Sequence, residues 1–228
     1  MSVTIDDVSK APRVVFLPGT SGAAEFWRPV ADRLPAAWIK VLLGWPGAGE
    51  QPHDPSVRSF DDLVAAVAAA LESPSDLVAQ SMGGAVAIAV ALRHPDKVRH
   101  LVLVATSGGI DVSRLGGADW REDYQKEYPN AAGWVSSERP DYADEITAVD
   151  APTLLLWGDE DPISPVSVGE RLAELLPSSA LEVIRGGGHQ FAYEHPEAVA
   201  PRIGAHLERP HRSASSSRMP DRSSCSTT

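Results

Sequence analysis

Ser81 has the surroundings of a serine that acts as a nucleophile. It is the third residue of the pentapeptide AQSMG, which follows the apolar pair Leu77-Val78 and precedes a helix-like stretch at 85–93. Small residues two positions before and two after the serine allow a tight strand-to-helix turn that exposes the hydroxyl above a sheet. Ala79 stands where glycine is more usual. We interpret the motif as a nucleophile elbow, with an ordinary glycine-rich loop as the alternative.

A serine hydroxyl becomes a strong nucleophile when a base takes its proton, and the base needs a group that orients it. His189 follows three glycines, which allow a loop to carry the imidazole over the edge of a sheet. The sequence GDEDP at 158–162 follows an apolar stretch and places Asp159, Glu160 and Asp161 in one acidic turn. The order serine, acid, histidine is one of the chain orders known for such a triad.

These side chains need a scaffold, and the hydrophobic pattern predicts one. Strand-like and helix-like stretches alternate, which is typical of an α/β fold with a mostly parallel central sheet flanked by helices. Open α/β sheets place their sites at the carboxyl ends of the strands, where the three candidates fall. The predicted strands are 13–17, 38–43, 76–79, 98–104, 151–157 and 181–184, and the predicted helices are 23–34, 60–71, 82–93, 166–176 and 197–207.

Two segments do not follow this alternation. One lies within the predicted domain 1–208, and the other follows that domain. Residues 109–150 are rich in Trp, Tyr, Asp and Glu without a strand pattern, and a structureless loop of that length is uncommon. We predict a short helical cap there. Residues 209–228 are dominated by Ser, Arg and Pro and are predicted to form a disordered tail, with a short basic interaction tail as the alternative. The cap aromatics either line part of a pocket or only pin the cap to the body; they are Trp120, Tyr124, Tyr128 and Trp134.

Composition and motifs exclude several classes of partner and cofactor. A formal net charge of -11 disfavours nucleic acid and anionic membrane surfaces, and no apolar run approaches the ~20 residues of a membrane span. The start of the chain resembles neither a signal nor a transit peptide, so we expect a cytoplasmic protein. Cys225 is the one cysteine, the seven histidines lack paired metal-ligand spacing, and no phosphate-binding glycine loop is present. We expect no metal and no cofactor, and the oligomeric state is left open.

Four separated motifs together resemble those of a known family. They are FLPGTSG at 16–22 with the following Phe26-Trp27, GWPGAG at 44–49, the Ser81 elbow, and the acidic turn at 158–165. Over residues 13–207 the chain resembles the α/β-hydrolase superfamily, and most of all its small esterase-type members. The resemblance implies the fold and a triad mechanism.

The resemblance also implies a role for each triad candidate. Ser81 would be the nucleophile, His189 the general base and then acid, and Asp161 the group that orients the imidazole. Asp161 is preferred over Asp159 because the family has its acid three residues after a glycine, as here after Gly158. Asp159 remains the alternative, and Asp111 is a reserve because some members take their acid from that part of the chain.

The same resemblance implies an oxyanion hole made by the backbone N–H groups of Thr20 and Met82. Pro18 stands where the family often has histidine, which affects the loop but not these donors. The aromatic residues expected to fringe a substrate pocket are Trp27, Trp45 and Phe191 in the body, with Trp120 and Trp134 in the cap.

Three functions follow in order of preference. The first is a serine hydrolase that cleaves a small to medium carboxylic ester through an acyl-enzyme, with a small molecule as its partner. The second is a carbon-carbon bond hydrolase or lyase of the same fold, with Arg114, Arg121 and Arg139 as candidates to bind its carboxylate substrates and solvated surface charges as the alternative for them. The third is a ligand-binding homologue without catalysis, since fold alone does not establish activity.

Overall fold

Six parallel strands form one sheet in the computed structural model, which describes residues 11–138 and 140–210. The strand order is β2-β1-β3-β4-β5-β6. β3 and β5 are buried along their whole length, as expected for strands covered by helices on both faces. The strands are β1 (Arg13–Leu17), β2 (Ile39–Leu42), β3 (Ser75–Gln80), β4 (Val98–Val104), β5 (Thr153–Gly158) and β6 (Ser179–Ile184).

Helices connect these strands, so the α/β class predicted from the sequence is confirmed. The α-helices are α1 (Arg28–Ala31), α2 (Phe60–Ala70), α3 (Met82–Arg93), α4 (Arg121–Glu127), α5 (Trp134–Ser137), α6 (Val166–Leu175), α7 (Phe191–Glu194) and α8 (Pro196–Leu207). Shorter 3-10 segments occupy Ala24–Trp27, Pro95–Lys97 and Ile146–Ala148. Among the described residues, no helix combines the length and apolar character required to cross a bilayer.

The core has two parts, one on each face of the sheet. Successive strand residues point to opposite faces, so Leu17 packs in the cluster with α2, α3 and α6, whereas Phe16 packs in the cluster with α1, α7 and α8. Trp157 and Ile88 belong to the first cluster. Burying a side chain of this size stabilises the fold by roughly 1.5–3 kcal/mol. These two layers hold the strand ends, and the loops that leave them, in fixed positions.

The first predicted helix differs most from the structure. In place of one helix over 23–34, the chain forms the 3-10 turn Ala24–Trp27 and the short α1. The chain then continues through bonds of the i to i+3 type, from Arg33 N–H to Val30 O and from Leu34 N–H to Ala31 O. Pro35 follows directly, and proline cannot extend a helix.

The segment between β4 and β5 contains α4, α5 and a 3-10 turn. Gln125 of α4 donates a hydrogen bond to the Ser136 hydroxyl of α5 at 3.0 Å. A backbone bond from Ala132 N–H to Gly47 O attaches the segment to the loop after β2, and one from Tyr142 N–H to Gly109 O joins two parts of the segment itself, each 2.7 Å long. Most of the predicted tail, including Cys225, lies outside the described residues, as do residues 1–10.

Candidate active site

Ser81 occupies a strained turn between β3 and α3. Its φ of 53° and ψ of -122° lie in a region that non-glycine residues seldom adopt, at a cost of about 1–3 kcal/mol. The small residues of the elbow have specific neighbours. A Cβ at Gly83 would lie 2.5 Å from the carbonyl oxygen of Pro18, and one at Gly84 would overlap Thr106. The turn therefore depends on close contact between the start of α3 and the ends of β1 and β4.

His189 lies on the loop after β6 and reaches Ser81. Its Nε2 is 3.1 Å from Ser81 Oγ, and its backbone carbonyl accepts a hydrogen bond from Gln80 Nε2 at 3.2 Å. The glycine at the end of β5 permits close packing of this loop, because a Cβ at Gly158 would overlap the backbone of Gly187. The loop is thus held against the carboxyl ends of β3 and β5.

Asp161 is hydrogen-bonded to the imidazole of His189. Its buried Oδ2 is 2.8 Å from His189 Nδ1, while its Oδ1 accepts from the N–H groups of Ile163 at 2.8 Å and Ser164 at 3.0 Å. A carboxylate at Nδ1 favours the tautomer whose Nε2 is free to accept the serine proton. The three predicted residues are therefore joined in one chain of hydrogen bonds.

The other acidic candidates occupy different places. Asp159 Oδ1 accepts a hydrogen bond from Gly186 N–H at 2.6 Å and so closes the turn around the His189 loop. Glu160 is exposed. Asp111 is an exposed residue on the wall of the cavity described below, and its Oδ1 accepts from Ser113 N–H at 2.9 Å. Asp161 is the carboxylate that the structure brings to His189.

The backbones of Thr20 and Met82 lie on two sides of the elbow. A Cβ at Gly19, next to Thr20, would lie 3.1 Å from Ser81 Cβ, so the loop after β1 runs against the serine. Met82 is the first residue of α3, and the N–H groups of a first helical turn have no partner within the helix. Both predicted donors thus belong to segments that flank Ser81.

A cavity of about 630 Å³ opens over Ser81 and His189, which both line it. Pockets of this size suit small molecules. Most of the apolar wall comes from residues that follow strand ends or belong to the β4–β5 segment; examples are Met82, Ala85, Ile110, Val112, Val135 and Ile163. Sequence reasoning missed Ile110, Val112 and Ile163. Their positions in the sequence could have indicated this role, because they follow β4 and β5 at the edge of the sheet where Ser81 lies.

Of the aromatic residues predicted to line a pocket, Trp120 does so. Trp27, Trp45 and Phe191 are at most 1% exposed and pack in the core instead, which corrects the prediction. The indole N–H groups of Trp27 and Trp45 donate to the carbonyl oxygens of Leu17 and Pro18, each at 2.9 Å. Because buried carbonyls at the end of β1 satisfy these polar atoms, the rings are held inside the body.

Trp134 is also a core residue, although its neighbour Val135 lines the cavity. Both residues belong to the same core cluster, and adjacent side chains of a helix point in different directions, so Val135 reaches the cavity wall as well and Trp134 does not. Tyr124 is buried too, and its hydroxyl is bound by two loops of the body. Tyr128 lies by a separate, more polar depression with His53 and Glu127.

Carboxylates outnumber cations on the described cavity wall. Arg121 is its one cation among those residues, and its guanidinium is 3.0 Å from Asp119 and 5.0 Å from the centre of the Trp120 ring. Arg114 does not line the cavity, and Arg139 lies outside the described residues. The wall carboxylates are Asp111, Asp119, Glu138 and Asp141. Within 11–138 and 140–210, no three His, Cys, Asp or Glu side chains are grouped as a metal site requires.

Comparisons with known proteins point to one family. A family model described as alpha/beta hydrolase fold matches residues 12–133 and 115–196. A pimeloyl-[acyl-carrier protein] methyl ester esterase of Neisseria meningitidis serogroup B is 31% identical, over 82% of this chain and 90% of that protein. A 2-hydroxy-6-oxononadienedioate/2-hydroxy-6-oxononatrienedioate hydrolase of Escherichia coli is 24% identical, over 85% and 84%. A thermophilic esterase from Thermogutta terrifontis shares the fold with a TM-score of 0.71 and 24% identity, over 86% and 89%.

Proposed function

The chain belongs to the α/β-hydrolase fold family, and from that premise we propose that it is a serine hydrolase of small to medium carboxylic esters. The observation that carries the proposal is the chain of hydrogen bonds from Ser81 Oγ to His189 Nε2, and from His189 Nδ1 to Asp161 Oδ2. It ends at a cavity large enough for such a substrate. A protein that only binds a ligand has no need of this arrangement.

Acylation begins when His189 Nε2 takes the proton of Ser81 as Oγ attacks the ester carbonyl carbon. The carbonyl oxygen becomes an oxyanion, which accepts hydrogen bonds from the N–H groups of Thr20 and Met82. His189 then gives the proton to the leaving alcohol oxygen, and the acyl group stays on Ser81. Asp161 stabilises the imidazolium while His189 holds the proton. Water activated by His189 releases the acid and restores the serine.

The β4–β5 segment acts in this proposal as a cap over the serine. Val112, Trp120 and Val135 belong to it and line the cavity with Ser81. An acyl chain placed against these apolar side chains would leave water, at roughly 25 cal/mol for each Å² of apolar surface buried. This favours an aliphatic ester over a polymer or peptide.

The charges of the cavity wall, counted over its described residues, favour an uncharged ester over an anionic carbon-carbon substrate. A substrate carboxylate would face Asp141, while Arg121 is engaged by Asp119. Like charges repel, and solvent exposure reduces the repulsion without reversing it. The carbon-carbon reaction is therefore the second candidate, favoured by the relatives named as hydrolases of oxo dioates.

The proposal is tested by the hydrolysis of p-nitrophenyl esters from acetyl to decanoyl. We expect a clear rate in the wild type that falls by ~10³ or more in Ser81→Ala. Ser178→Ala, which alters an exposed serine, is purified in the same way and should match the wild type. Equal background rates in all three proteins would reject ester hydrolysis. A ring-cleavage dione is then the next substrate to assay.

A methyl ester is assayed as well, because the 31% identical relatives are named pimeloyl-[acyl-carrier protein] methyl ester esterases. We expect dimethyl pimelate to be cleaved as a free small molecule. A much faster reaction of the same methyl ester linked to acyl-carrier protein would instead make a protein-bound ester the substrate.

A further inference from the structure

Tyr124 links the β4–β5 segment to the loop that follows β1. It lies in α4, and its ring packs between Trp120 and Tyr128, with ring centres 5.5 and 5.1 Å away. The side chain is buried, and its hydroxyl uses both of its hydrogen-bonding roles. It donates to the carbonyl oxygen of Thr20 at 3.1 Å and accepts from Gly49 N–H at 2.8 Å.

The two loops joined by this hydroxyl already pack closely. Gly22 N–H donates to Gly19 O at 3.1 Å and closes a turn, and Trp45 N–H donates to Gly22 O at 3.0 Å. Gly49 has a φ of 54°, and a Cβ there would lie 2.5 Å from Ser21 O. The loop after β1 is therefore held on one side by the loop after β2. Tyr124 binds it from the β4–β5 segment as well.

The hydrogen bond from Tyr124 restrains Thr20, whose backbone N–H is an oxyanion donor in the proposed mechanism. The carbonyl of Thr20 and its own N–H are separated by one Cα, so fixing the carbonyl restricts the rotation that would turn the N–H away from Ser81. Oxyanion donors stabilise the transition state through fixed placement, which avoids reorganisation during the reaction. The ground-state ester depends much less on that placement.

We propose that Tyr124 is a positioning residue, whose hydroxyl fixes the Thr20 loop and couples the β4–β5 segment to the oxyanion hole. The inference rests on the proposed function. Removal of the hydroxyl leaves the Thr20 carbonyl and the Gly49 N–H to find other partners, so the loop gains freedom. The ring, its burial and the wall of the cavity stay as they are.

The test compares Tyr124→Phe with Tyr128→Phe, which removes the hydroxyl of the neighbouring ring in the same aromatic stack. With the preferred p-nitrophenyl ester, we expect kcat of Tyr124→Phe to fall about tenfold while KM changes less than about threefold. The affinity for a boronic acid, which forms a tetrahedral adduct on the serine, should fall in parallel. Tyr128→Phe should stay within about twofold of the wild type. Circular dichroism and melting show whether each variant is folded.

A folded Tyr124→Phe with an unchanged kcat, or with a loss confined to KM, would overturn the inference. A wild type that hydrolyses none of the esters would instead reject the proposed function itself. If Tyr124→Phe does not fold, hydrogen exchange in the wild type tests the coupling between the Thr20 loop and the β4–β5 segment. Methylboronic acid should slow exchange in residues 18–22 and 121–127 together, and slowing of 18–22 alone contradicts the coupling.

Discussion

Asp159 and Asp161 lie in the same turn but have different partners. Asp161 is buried and binds His189 Nδ1 at 2.8 Å, whereas Asp159 binds the backbone N–H of Gly186 at 2.6 Å. The first contact can stabilise an imidazolium that forms during catalysis. The second organises the loop that carries the imidazole. The two carboxylates therefore allow matched substitutions two residues apart.

Asp161→Asn should lower kcat by about 10³–10⁴ in ester hydrolysis, because an amide N–H at His189 Nδ1 favours the tautomer that cannot accept the serine proton. Asp159→Asn keeps an oxygen that can accept from Gly186 N–H, so its kcat should stay within about threefold. Steady-state kinetics of both folded variants provide the measurement. Comparable losses of kcat in the two variants would contradict different roles for Asp159 and Asp161.

The contact between α3 and the end of β1 sets the position of Ser81. Gly83 faces the carbonyl oxygens of Pro18 and Leu17, and a Cβ there would lie 2.5 and 2.7 Å from them. Both neighbours are backbone atoms, so they cannot yield by a side-chain rotation. The strained conformation of Ser81 depends on this approach, because the serine immediately precedes α3.

Gly83→Ala should destabilise the protein by about 1–3 kcal/mol through overpacking and should lower activity further by displacing Ser81. Gly133→Ala is the control, because the Cβ added there would meet no atom within 4 Å and the backbone is helical. Urea unfolding and ester hydrolysis are measured for both. A Gly83→Ala protein as stable and as active as Gly133→Ala would show that the approach is not tight.

Sequence patterns predicted the elements better than the surroundings of the site. The bounds of α3 and β4 agree with the prediction because apolar runs bounded by turn signals define them. The triad candidates could be chosen because each follows a strand end. The pocket aromatics could not, since Trp45 and Trp120 are both large and apolar, and only tertiary contacts place one in the core and the other on the cavity wall.

A buried polar cluster lies at the amino ends of the strands, on the side of the molecule away from Ser81. Asp76 of β3 and His100 of β4 are fully buried, with His100 Nδ1 2.8 Å from Asp76 Oδ1. The ring of His206 in α8 packs edge-on against His100 at 5.5 Å, and its Nε2 is 3.1 Å from Pro152 O. Burial lowers the pKa of His206 from 6.5 to about 4, and the charges of His100 and Arg209 act in the same direction.

His206 should make the whole molecule less stable as the pH falls below 6.5. Its folded pKa is lower than its unfolded pKa, so the unfolded chain binds the extra proton first and stability is lost as pH decreases towards 4. Between pH 7.5 and 5 this group should account for about 2 kcal/mol of the free energy of unfolding. Urea unfolding of the wild type and His206→Gln at both pH values measures the difference. An equal loss in the two proteins would contradict the assignment.

At the scale of the molecule, the parallel sheet brings the ends of β3, β5 and β6 to one edge, where Ser81, Asp161 and His189 meet. We infer that this meeting makes Ser81 a nucleophile. The most direct test is reaction of the folded protein with a fluorophosphonate probe, followed by peptide mass spectrometry. We predict a single adduct on Ser81, formed much more slowly in His189→Ala. Folded protein that stays unlabelled at Ser81, or that labels equally fast without His189, would contradict activation of Ser81 by His189.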